Sequence, residues 1–212
     1  MRLETTQTLI DGPAGAIDTI VETPHTPKGI AIVAHPHPLF GGANNNKVAQ
    51  TLARTLGNLG YVAFRPNFRG VGKTEGAHDE GRGETEDLLA VLDHARAAFG
   101  ELPVVLAGFS FGAYVQARVA HRLRDAGTPP QRLILVGTAA GHVEGTRSYD
   151  TEAVPSDTIV IHGSIDETVP LANVLAWAEP LDLPVVVVPG ADHFFHRRLH
   201  VIRDIITRAW KH

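Results

Sequence analysis

The chain has 212 residues, 43% hydrophobic and 20% charged, a size and balance that fit one globular domain, residues 1–212, with a sizeable core. A net charge of −4 with no basic stripe excludes a nucleic-acid footprint. The lack of any cysteine excludes disulfides, thiolate metal sites and a cysteine nucleophile.

The opening "MRLETTQTLIDGPAG" lacks an apolar core of signal-peptide length, and no run reaches transmembrane length. The expectation is a soluble cytoplasmic protein with no membrane partner. Residues 3–10 and 14–22 alternate in polarity around "DGPAG" and predict an antiparallel hairpin at a sheet edge. "GIAIVAH" is a continuous apolar run, as in a strand buried on both faces. Val48, Leu52, Leu56 and Leu59 recur at helical spacing, and Gly60 supplies a stop. "YVAFRPN" is a strand, and Leu88, Leu92, Ala95 and Phe99 mark a second helix.

Further along, "PVVLAG" is a strand that leads into a helix carrying Tyr114, Val115, Ala117 and Val119. "RLILVGTA" and "DTIVIHG" are strands, a helix covers 171–178, and "LPVVVVPG" is the last strand. Leu199, Ile202, Ile206 and Trp210 form the stripe of a C-terminal helix, which His196 is expected to begin. Strands alternating with helices predict an α/β fold with a mostly parallel sheet. The "VVVV" strand lies either inside that sheet or at an edge where a homodimer forms.

Between strand and helix stands Gly108-Phe109-Ser110-Phe111-Gly112. A nucleophile elbow in this position holds its serine in a strained turn with the hydroxyl above the sheet. Glycines at 108 and 112 fit the close approach of strand and helix. The N-terminal N–H groups of the helix point to where an oxyanion forms, with that of Phe111 as one donor. A serine hydroxyl is a weak nucleophile and needs a base. In folds with such an elbow, a carboxylate and then a histidine follow in chain order. Asp166 lies in "SIDETVP" after one strand, and His193 lies in "ADHFFH" after the last. The rival acids are Glu167 and Asp192, and the rival histidines are His162 and His196.

The "HPHPLFGG" loop follows the strand at 29–35, where the second oxyanion donor is expected. Pro36 and Pro38 have no N–H, which leaves Leu39 and then His37 as candidates. A metal site of His35, His37, His193 and His196 is the weaker reading, since no acidic cluster accompanies them, and no metal or other cofactor is expected. Gly72-Lys73-Thr74 mimics the end of a phosphate-binding loop, but Asn67 stands where that pattern needs glycine. Arg69 is expected to brace loops by ion pairing.

Taken together, "HPHPLFGG", "FRPNFRGVGKTEG", "HDEGRGE", "GFSFGA", "HGSIDETVP" and "GADHFFH" resemble the small lidless bacterial serine α/β-hydrolases, over nearly the whole chain from about Ala14. The resemblance implies an α/β-hydrolase fold, a mostly parallel central sheet flanked by helices, with Ser110, Asp166 and His193 as the triad and acyl esters as substrates. Only residues 139–156 are available for a cap, so a loop with at most one helical turn and an open site is expected. Phe40, Phe111 and Phe194 are candidates to line a shallow pocket for short acyl chains. An acyl-thioesterase or a small-substrate peptidase would use the same atoms, and a non-catalytic binding protein would use the fold without the chemistry.

Overall fold

A computed structural model describes residues 3–143, 145 and 147–210. Eight strands form one sheet. Strands β1 (Glu4–Gly12) and β2 (Gly15–Thr23) make the antiparallel hairpin read from the sequence, and they are followed by β3 (Gly29–Ala34), β4 (Tyr61–Pro66), β5 (Val104–Phe109) and β6 (Arg132–Val136). After a two-residue pair, β7 (Gly141–His142) with β8 (Ser148–Tyr149), the sheet ends with β9 (Ile159–Gly163) and β10 (Val185–Val188). The order across the sheet is β1-β2-β4-β3-β5-β6-β9-β10. From β4 to β10 every pairing is parallel, and the hairpin joins antiparallel at β4. "VVVV" is therefore an edge strand.

The continuous apolar runs are explained by helices on both faces. In β3, Ile30, Ile32 and Ala34 pack into one core, and Ala31 and Val33 pack into the other. This is the two-residue alternation of a strand covered on both sides. The first core is roofed by α2 (Arg82–Phe99), α3 (Phe111–Asp125) and α4 (Leu171–Ala178), through residues such as Leu88, Val115 and Val174. The second is closed by α1 (Lys47–Asn58) and α5 (Leu199–Ala209), through Leu52, Leu56, Ile202 and Ile206. At the start of α1, Asn46 Oδ1 accepts from the N–H groups of Val48 and Ala49 at 2.9 and 3.2 Å. That satisfies two N–H groups otherwise left without partners.

Among its described residues the segment between β6 and β9 holds the β7–β8 pair, within the expectation of a loop with at most one helical turn, whereas the start of the last helix needs correction. The pair is tied down by Thr151, whose hydroxyl donates to Ala139 O, and by the Trp177 indole N–H, which donates to Thr151 O. The last helix starts at Leu199 and not at His196, whose ring and backbone N–H are both held by Asp192. Among the described residues no helix is long and apolar enough to cross a membrane.

Candidate active site

The site stands at the carboxyl ends of the parallel strands, where open α/β sheets place their ligand crevices. Ser110 sits between β5 and α3 with φ 58° and ψ −120°. A non-glycine residue at positive φ is strained and persists only where its surroundings hold it. Here the helix is clamped from both sides. A Cβ on Gly112 would lie 2.5 Å from Ala34 O and 2.7 Å from Ala34 C. A Cβ on Gly108 would lie 2.5 Å from Gly112 C and 2.6 Å from Ala113 N. The elbow thus needs glycine at both places, for the reason anticipated from the sequence.

Ser110 Oγ lies 3.0 Å from His193 Nε2, and His193 Nδ1 lies 2.7 Å from Asp166 Oδ2. The carboxylate can only accept, so Nδ1 carries the proton and Nε2 is left to accept from the serine hydroxyl. Asp166 is fixed by its own loop, because Oδ1 accepts from Thr168 N–H at 3.0 Å and from Val169 N–H at 2.8 Å. All three side chains are buried, yet they meet from three separate strand ends. The rivals fall elsewhere. Glu167 is exposed, and Asp192 and His196 pair with each other at 2.6 Å.

His162 is a neighbour that chain order alone did not assign. It is fully buried, its Nε2 lies 3.0 Å from Val169 O and 3.4 Å from Asp166 Oδ2, and burial pushes its pKa down against the pull of Asp166. It braces the loop that carries the aspartate. A histidine four residues before the aspartate at a strand end was the only signal.

His35 and His37 do different work from a metal site. His35 Nε2 accepts from Phe68 N–H at 2.9 Å, which makes Nδ1 the donor to Pro36 O at 2.6 Å. Burial lowers the His35 pKa to about 4, helped by His37, so the ring is neutral and acts as a polar rivet between two loops. His37 is also held neutral, at about 4, by desolvation with His78 and Arg147 nearby. Its Nδ1 accepts from Leu39 N–H at 3.3 Å, within a one-turn 3-10 helix over Pro38–Phe40. Leu39 N–H is therefore engaged with the His37 ring. Among the described residues no hydrogen bond takes the N–H of His37 or of Phe111. Neither His35 nor His37 meets His193 and His196 in a group of metal-ligating side chains.

Around the elbow, Arg69 braces loops as expected, with its guanidinium on both oxygens of Asp87 at 2.8 and 2.7 Å. Segment 67–76, the mimic of a phosphate loop, packs back on the hairpin instead. The Thr74 hydroxyl donates to Asn67 O and accepts from Asp18 N–H. A cleft of about 720 Å³ opens beside Phe111, between Leu39 and Phe40 on one side and Tyr149 of β8 on the other. Phe40 lines it and is 67% exposed, but Phe194 does not. Phe194 faces a separate hollow of about 190 Å³ beside α1, with its ring 5.1 Å from that of His193. The cleft residues missed in the sequence include Tyr149, Arg118 and Arg147.

The geometry has counterparts. An α/β serine hydrolase without a lid from Xanthomonas campestris superimposes with a TM-score of 0.86 at 36% identity, covering 100% of this chain and 95% of that one. The fold is thus that of a lidless α/β-hydrolase. An uncharacterized protein of Rickettsia prowazekii is 31% identical over 208 residues, which is 89% of this chain and 82% of its length. A lysophosphatidylserine lipase, ABHD12 of Gallus gallus, is 37% identical over 120 residues, but these span 55% of this chain and only 31% of that protein. Residues 25–174 match the family described as Serine aminopeptidase, S33. With that match spanning the elbow and the aspartate loop, the chain belongs to the serine aminopeptidase S33 family of α/β-hydrolases.

Proposed function

We propose that this protein hydrolyses carboxylic esters through an acyl-enzyme on Ser110. The observation that carries the reading is the hydrogen-bonded chain from Ser110 Oγ through His193 to Asp166 at a strained elbow. His193 Nε2 takes the serine proton as Oγ bonds to the acyl carbon, and Asp166 stabilises the imidazolium. The N–H groups of Phe111 and His37 hold the oxyanion. Collapse of the intermediate expels the alcohol, which leaves with the proton from His193. A water, deprotonated in turn by His193, then releases the acid.

The family's name points to peptides, but the cleft favours esters. An aminopeptidase must hold an α-ammonium, and the carboxylate this cleft offers is Glu80, which is 75% exposed and lies 3.4 Å from Arg82. Arg118 and Arg147 line the same walls and repel an ammonium. The exposed rings and the lack of a lid suit short acyl chains over emulsified lipid. A thioester uses the same atoms and remains the second substrate to test.

The experiment is hydrolysis of p-nitrophenyl esters of graded acyl length beside acyl-CoA and an aminoacyl p-nitroanilide, with Ser110→Ala in parallel. Short esters should be cleaved, and kcat should fall by about 10⁴ or more in the variant. Preference for the anilide refutes the ester reading. No turnover together with no labelling of Ser110 by a fluorophosphonate returns the fold to a binding role.

A further inference from the structure

The cleft is asymmetric in charge. Segment 78–84, "HDEGRGE", folds around Glu84, whose side chain is fully buried. Glu84 accepts from Asp79 N–H and Gly81 N–H, each at 2.9 Å, and lies 2.8 Å from His78 Nδ1. His78 in turn faces the cleft, its ring 4.7 Å from His37 and 5.3 Å from Phe111.

Across from it, Arg118 lies on the stripe of α3 that begins at Phe111 and passes through Tyr114. Its guanidinium is 5.8 Å from the Tyr114 ring, and Glu152 lies 3.8 Å away, lining the neighbouring hollow and not this cleft. Arg147 lines the cleft with its guanidinium 4.1 Å from the Phe40 ring, beside the Tyr149 hydroxyl. Three guanidinium groups, those of Arg82, Arg118 and Arg147, therefore line the walls against one carboxylate of the lining, Glu80, which lies 3.4 Å from Arg82, while Glu84 and Glu152 stand behind. A wall richer in guanidinium than in carboxylate suits an anion.

On this arrangement, and resting on the serine-hydrolase reading, we infer that the preferred substrates are esters with an anionic terminus, carboxylate or phosphate, held by Arg118 and Arg147. Seven helical steps lead from Phe111 to Arg118, which sets their backbones about 10 Å apart along the axis at 1.5 Å per residue. The terminus is thus distal. A succinyl chain is too short for it, and a chain of about eight carbons reaches.

The test compares p-nitrophenyl esters of succinate, adipate and suberate, each with a free ω-carboxylate, with esters of butyrate, hexanoate and octanoate. A second arm compares a 1-acyl glycerol 3-phosphate with the matching monoacylglycerol. The first arm reads an anion on the acyl side and the second reads one on the alcohol side.

The readout is the ratio of kcat/KM, charged over neutral, at low salt. It should exceed about tenfold in one arm. On the acyl side it should grow with chain length. In Arg118→Gln and Arg147→Gln it should collapse toward one, and Lys at either place should restore part of it. A general loss of folding would lower both substrates together and leave the ratio in place. A wild-type ratio of one or less in both arms, or a ratio unmoved in both variants, overturns the inference while leaving the hydrolase reading intact. If no ester is turned over, the hydrolase reading fails, and calorimetry with suberate and glycerol 3-phosphate then decides the cleft. Binding lost in both variants supports the anion site, and no binding overturns it.

Discussion

Gly112→Ala tests the elbow at one of its two tightest approaches. The new Cβ would lie 2.5 Å from Ala34 O, about 0.9 Å short of the 3.4 Å at which ordinary contact begins. The neighbouring atoms, of Ala34 and His35, are all backbone, and Ala34 ends a central strand, so no side chain can swing away. The N-terminus of α3 must move by most of that deficit. Overpacking of this kind costs about 1–3 kcal/mol, and the upper end applies here. For a chain of this size Tm should fall by about 6–12 °C. The same shift carries Phe111 N–H and Ser110 away from His193. A misplacement near 1 Å costs about 10²-fold in rate. Thermal unfolding and kcat/KM on a short p-nitrophenyl ester, measured below the lowered midpoint, report the two effects separately. A variant with wild-type Tm and kcat/KM within threefold would refute the claim that backbone contact at Gly112 sets the elbow.

Other outcomes are equally specific. Asp166→Asn should lower kcat by about 10⁴, because the amide no longer enforces the Nδ1–H tautomer of His193, whereas Glu167→Gln and Asp192→Asn should stay within about threefold of wild type. His35 titrates near 6.5 unfolded and at about 4 folded, so the unfolded chain binds the extra proton between those values. Its contribution is fully present above pH 6.5 and is lost as pH falls to about 4, amounting to about 3 kcal/mol. His35→Gln, which can keep both hydrogen bonds without titrating, should flatten that part of the stability–pH curve in urea unfolding, and an unchanged slope counts against the assignment. Arg69→Met should cost about 3–5 kcal/mol by leaving Asp87 buried and unpaired, and adding Asp87→Leu should recover most of it.

The elbow and its partners were legible because each rests on local order. "VVLA" running into Gly-x-Ser-x-Gly places the turn, and Asp166 and His193 follow successive strand ends. The loop proposed to supply the second oxyanion donor was legible only as a segment. Which N–H is engaged depends on the 3-10 turn over Pro38–Phe40, which bends Leu39 N–H onto the His37 ring. The cleft was least legible. Phe194 and Phe40 look alike as exposed aromatics near the site, yet the first follows the histidine toward α1 and the second faces Arg147. Tyr149 reaches the cleft through a two-residue strand pair too short to leave a pattern, where its ring packs 5.1 Å from Tyr114.

The three groups of the site do not share one degree of protection. Ser110 follows β5, which is paired on both sides in the middle of the sheet. His193 follows β10, four residues long, paired only to β9, with Val186 and Val187 two-fifths exposed. Local opening concentrates where buried contacts are few. The edge strand can therefore peel while the elbow stays folded, taking His193, the proposed general base, with it. Such a molecule would be native by most optical measures and chemically silent, with a serine still in its strained turn but no longer activated. Heat or mild denaturant should extinguish turnover before the tertiary signal falls, and amide exchange should be faster in β10 than in β5. On the proposed mechanism, an exposed edge strand of the fold thus holds the group that makes the serine reactive.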